Sequence, residues 1–146
     1  MPALSFAQDG WRYDIDCGGA GVSGTYLVKI HLYGKKSSVP ADEFKKNAVH
    51  GVLFKGFSGN AVAGCTAQRA IIANPATYDD KQDFFKMFFA TKGGDYLKYA
   101  SLISGTPEVM KIGKEYKVSM VVSVAKDMLR SDLEKAGIIK GLGSGF

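Results

Sequence analysis

The chain has 146 residues, the size of one domain, and can bury enough apolar surface to fold without a metal or a disulfide. An apolar fraction of 46% with 23% charged residues excludes whole-chain disorder, and no apolar run approaches the ~20 residues that span a bilayer. The net charge of +5 suits an anionic surface or an acidic protein, but the lysines are scattered among Asp and Glu without a basic stripe, so nucleic acid is not an expected partner.

Near the N-terminus, Ser5 and Ala7 stand at the −3 and −1 positions of an A-x-A-like cleavage site. This predicts export to the periplasm or the extracellular space. Residues 1–7 would be the remnant of a signal, 8–140 a single domain and 141–146 a flexible tail. Trp11, Tyr13 and Ile15 alternate with Arg12 and Asp14, which predicts a short strand with one buried face, followed by a Gly-rich turn over 17–24. Residues 25–33 are β-branched and aromatic and predict a second strand, with Tyr26, Val28, Ile30 and Leu32 inward. After the polar turn 34–38, Ser37 or Ser38 can cap a helix over 40–54. Pro40, Asp42 and Glu43 suit its first turn, and Ala41, Phe44, Ala48 and Val52 form its apolar stripe. Gly56 stops it.

Residues 58–75 are irregular, with room for an excursion or a short strand at 69–72. Thr77 to Asp80 resembles a capping box opening a helix over 79–90, which carries Phe84, Phe85, Phe88 and Phe89. Residues 96–103 and 116–124 read as an antiparallel strand pair joined by a long connection with turn signals at Gly105, Pro107 and Gly113. On the second of these, Tyr116, Val118, Met120, Val122 and Val124 share one face, and Lys117, Ser119 and Ser123 the other. A last helix over 126–136 turns Leu129, Leu133 and Ala136 inward, with Gly137 as a left-handed C-cap and Ile138 as its hydrophobic contact. Strands and helices do not alternate strictly. The expected class is therefore α+β: a single antiparallel or mixed sheet with about three helices on one face.

Chemistry is sparse. His31, His50, Cys17 and Cys65 lack the close spacing of a zinc site, so no metal and no cofactor are expected. His31 falls on the polar side of its strand, and His50 near a helix end where an imidazolium suits the dipole. Around Ser58 and Ser144 the pattern G-x-S-x-G is broken by Asn60 and Leu142, and two histidines leave little material for a Ser-His-acid arrangement. No catalytic residue is assigned. Lys35 and Lys36 sit between a strand and a helix but lack the upstream glycine of a phosphate loop, since Lys29 stands there. They are either solvated turn lysines or part of an anion-seeking surface. Phe85 and Phe89 either fill a deeply buried helix or form, with those lysines, an exposed patch that binds a partner or a second copy. Cys17 and Cys65 either pair, closing a loop that stabilises the fold by about 4 kcal/mol in the chain-entropy treatment, or remain two packed thiols.

The stretches Gly24-Thr25-Tyr26-Leu27-Val28-Lys29, residues 45–57 and Gly137-Ile138-Ile139-Lys140-Gly141-Leu142 resemble secreted proteins of unknown function from Bacteroidetes. The order of elements is distantly similar to the N-terminal domain of flagellar assembly protein T and related small lipoproteins. The resemblance implies an envelope location and carries over no functional residue. The expected function is that of an exported, non-enzymatic module acting through a protein partner or self-association. The alternative is a small-ligand-binding or hydrolytic protein with its site in the Gly-rich region 56–74.

Overall fold

Alternating β-branched and aromatic residues carry β2 (Tyr26–Gly34) and β5 (Glu115–Val124) side by side at the centre of one antiparallel sheet. The structure is a computed structural model describing residues 12–74, 76–103 and 106–139; the proposed signal remnant, Trp11 and the proposed tail lie outside the described residues. In the central pair Val28 opposes Val122, Ile30 opposes Met120 and Leu32 opposes Val118, so one face is a continuous apolar layer. β1 (Tyr13–Gly19) adds to the free side of β2, with Tyr13, Ile15 and Cys17 on the same face. On the far side of β5, β3 (Ala100–Leu102) pairs with residues 122–124 and β4 (Glu108–Ile112) with residues 115–119. β3 and β4 thus follow one another along one edge.

Helix α1 (Ala41–Phe54) packs across the apolar face and drives Phe44, Ala48, Val49, Val52 and Leu53 into it. Behind it, α2 (Thr77–Asp80), α3 (Gln82–Phe88) and a 3-10 turn (Asp95–Tyr99) build an aromatic layer. In that layer Phe85 stacks on Tyr78, Phe88 on Tyr99 and Phe89 on Tyr96. Helix α4 (Lys126–Lys135) closes the core with Leu129 and Leu133. Its end follows the expected cap: Gly137 takes φ +76°, and Ile138 donates to the Leu133 carbonyl at 2.9 Å. The expected α+β class stands, as an antiparallel sheet of five strands with four helices among the described residues.

Several elements differ from the sequence reading. The first strand runs on to Gly19 rather than yielding to a turn at Cys17, because Cys17 still pairs with Val28 before the register slips. Residues 96–99 coil instead of extending: Tyr96 and Tyr99 both turn inward, which three-residue spacing permits in a 3-10 turn and forbids in a strand. No strand forms at 69–72; Ile71 and Ile72 donate instead to the carbonyls of Val52 and Leu53 at the end of α1. The helix expected over 79–90 is broken at Lys81, whose backbone is not helical, and Thr77 makes no capping bond. Neither Ser37 nor Ser38 caps α1, which starts from an extended Pro40. Ala136 is exposed. β4 stands where only a connection was expected.

Candidate functional site

The sheet has two edges, and they are built differently. Along β1 runs a strap made by residues 55–68. Gly56 starts it at φ +69°, and a Cβ there would lie 2.3 Å from the Gln68 carbonyl oxygen, so only glycine fits the approach. Phe57 and Gln68 exchange backbone bonds at 2.9 Å, and so do Asn60 and Cys65, at 3.0 and 2.9 Å. The Asn60 side chain accepts from the amides of Val62 and Ala63. Three ties fix this strap to the sheet. Cys65 is disulfide-bonded to Cys17 on β1, with Cα atoms 6.3 Å apart, inside the usual range for the bond. The Tyr26 hydroxyl donates to Gln68 at 2.8 Å, while its ring meets Phe57 edge-on. Lys55 donates to the Tyr13 carbonyl at 3.2 Å and lies 4.0 Å from the centre of the Tyr13 ring.

Beneath that edge His50 is fully buried, with Nδ1 2.7 Å from the Tyr13 hydroxyl. Burial first, then the nearby charges of Lys55 and Lys46, lower its pKa from 6.5 to about 3. The imidazolium expected at the end of α1 is therefore corrected to a neutral imidazole, because the last turn of that helix points into the core rather than to water.

The face of the sheet away from the helices carries a polar row. His31 Nε2 lies 2.8 Å from Asp16 Oδ2, and Nδ1 lies 2.6 Å from Ser119 Oγ. A ring that donates to the Asp16 carboxylate from Nε2 keeps a lone pair on Nδ1 to accept the Ser119 proton. The acid, imidazole and hydroxyl that sequence reasoning found hard to assemble thus meet on three adjacent strands. Register brings them together: His31 and Ser119 are direct cross-strand partners, and Asp16 is diagonal to His31. Ser119, however, is 5% exposed in a strand paired on both sides, so its amides serve the ladder and not an oxyanion. Around the row Tyr33 donates to Asp14 at 2.6 Å, which pushes its phenol pKa up to about 12. Asp14, Asp16, His31, Lys117, Ser58 and Arg69 line an open groove between β1 and the strap, about 650 Å³ in volume.

The other edge carries no strap among the described residues. Every residue of β4 is exposed, and among the described residues nothing pairs with its outer side. Val109, Met110 and Ile112 stand 50%, 59% and 48% exposed, and Ile103, just past β3, 57%. Such an edge offers unpaired backbone groups beside apolar side chains. A two-residue turn, Gly113-Lys114, joins β4 to β5, with Gly113 at φ +62°.

The residues proposed for an interaction surface separate. Phe85 and Phe89 are 0% and 6% exposed, so no aromatic patch exists there; the four phenylalanines are consumed by Tyr78, Tyr96, Tyr99, Phe54 and one another. Lys35 and Lys36 are exposed on the turn before α1 and line a shallow groove with Arg12, Tyr33 and Glu43. Cys17 and Cys65 lie at the strap. Among the described residues no group of His, Cys, Asp or Glu could hold a metal ion, and no helix is long and apolar enough to cross a membrane. No family model, curated protein or solved structure matches the chain.

Proposed function

We propose that the chain is an exported protein-binding module that takes an extended segment of a partner onto its β3–β4 edge. The observation that carries this reading is β4 itself: a five-residue edge strand, solvent-exposed from end to end, with three large apolar side chains. Strand addition supplies main-chain hydrogen bonds along such an edge and side-chain contacts at alternate positions. Export is supported by the disulfide at the strap, a bond that persists in oxidising compartments. A non-catalytic role is supported by the enclosed position of Ser119.

The test is selection of binding peptides from a random library on the disulfide-intact chain, repeated with Val109→Lys combined with Ile112→Lys. Selected peptides should bind the parent and lose the doubly substituted edge. Peptides that bind both alike would place recognition elsewhere.

A second reading has one observation behind it, the groove holding Ser58, Asp16, His31 and Arg69. It would take a small polar ligand, and Arg69→Ala should then abolish any ligand-induced rise in melting temperature found by screening.

A further inference from the structure

We infer that the segment accepted by the β4 edge is acidic: an extended strand of a partner protein in which apolar side chains alternate with glutamate or aspartate. This rests on the edge reading above and adds its chemistry.

Charge around the β4–β5 hairpin is unevenly compensated. Its two carboxylates are already committed. Glu108 meets Lys29 at 2.6 Å, and Glu115 takes both terminal nitrogens of Arg12 at 2.8 and 3.2 Å. Those same contacts hold both carboxyls below the usual carboxylate range. Among the described residues Lys111 and Lys114 have no carboxylate partner, whereas Lys117 already acts on Glu108. The hairpin therefore presents two uncompensated ammonium groups, Lys111 and Lys114, beside Val109, Met110 and Ile112.

Register sorts these groups by face. Met110 and Ile112 point to the open face of the sheet, and Met110 stands directly across from Lys117. Val109 and Lys111 point to the other face, and Lys114 sits at the turn beyond Ile112. A strand laid beside β4 must alternate in the same way. Its residues beside Met110 and Ile112 meet apolar surface. Those on the opposite face come beside Lys111, where a carboxylate is favoured and an ammonium is not.

A second copy fits poorly. Two β4 strands paired antiparallel about Met110 set Lys111 diagonal to its own counterpart, and each chain brings a net charge of +5. The partner strand is therefore foreign to this chain.

The experiment uses the full disulfide-bonded chain and labelled peptides of about ten residues, read by fluorescence anisotropy at roughly 0.05 M salt. One peptide alternates valine with glutamate, one valine with lysine, one valine with threonine and one serine with glutamate. The valine–glutamate peptide should bind at least about tenfold tighter than the valine–lysine peptide, as two exposed ion pairs allow. Lys111→Glu combined with Lys114→Glu should reverse that order while leaving the melting temperature near the parent's.

Equal binding of the glutamate, lysine and threonine peptides would overturn the acidic preference and leave the docking edge standing. Failure of all the valine peptides would remove the edge reading itself. Serine–glutamate binding as tight as valine–glutamate would reduce the site to plain ion attraction and overturn the proposal. So would a dimer, seen by sedimentation, that Val109→Lys with Ile112→Lys dissolves and the peptides do not displace.

Discussion

The β1 edge and the β3–β4 edge belong to one sheet, yet solvent meets them on different terms. Beside β1 the chain commits fourteen residues, 55–68, to a strap held by a disulfide, a tyrosine–glutamine bond and a lysine on a strand carbonyl. Behind β1 a buried tyrosine–histidine pair anchors the strand from the core side. Beside β4 there is no comparable investment among the described residues: the strand is five residues long, exposed throughout, paired to β5 and tied to β2 by the Glu108–Lys29 ion pair. Edge strands invite pairing, and proteins usually blunt them. This chain blunts one edge heavily and leaves the other with half-exposed Val109, Met110 and Ile112, the contrast on which the proposed docking edge rests.

The largest effect should come from cutting the strap. Replacing both Cys17 and Cys65 with serine is expected to cost about 4 kcal/mol of unfolding free energy, from the freedom restored to a 48-residue separation in the unfolded chain. Urea unfolding of the two forms measures it. A loss under about 1 kcal/mol would mean that the other ties suffice and that the contrast between the edges is overstated.

Next comes acid. His50 titrates near 3 in the folded chain against 6.5 when unfolded, so the unfolded state takes up the proton first as pH falls. Its contribution is complete above about pH 6.5 and is lost progressively toward pH 3. Between pH 7 and pH 5 it should cost about 2 kcal/mol, and His50→Gln should remove most of that slope. A parent whose stability does not change over this range would contradict the buried, neutral imidazole.

The smallest effect belongs to the bare edge. Val109→Lys with Ile112→Lys should leave stability within about 0.5 kcal/mol of the parent, because both side chains already face water. A loss of several kcal/mol would show that β4 is part of the core structure and not a free edge.

The readability of these features from sequence follows where each residue's partners lie. β2, β5, α1 and α4 were legible because each buries one regular stripe, and a stripe shows as periodicity. β4 was not, because Glu108 to Ile112 is exposed on both faces and so shows no stripe. Its one signal was Ile112-Gly113-Lys114, recognised as a turn, which the two-residue Gly113-Lys114 loop completes as a hairpin. The phenylalanine run favoured a deeply buried helix over an exposed patch but did not reveal its partners, since the tyrosines that cover it come from residues 78, 96 and 99. His50 was misjudged for a similar reason: Tyr13 approaches it from a strand 37 residues earlier, which helix-end electrostatics does not anticipate. The row of Asp16, His31 and Ser119 needed the strand order β1-β2-β5, which no local pattern fixes.

Amide-resolved hydrogen exchange with and without the valine–glutamate peptide tests the central claim most directly. The account predicts that bound peptide slows exchange in residues 108–112 and leaves residues 13–19 and the strap unchanged. Protection confined to the β1 side, or tight binding with no change along β4, would contradict it.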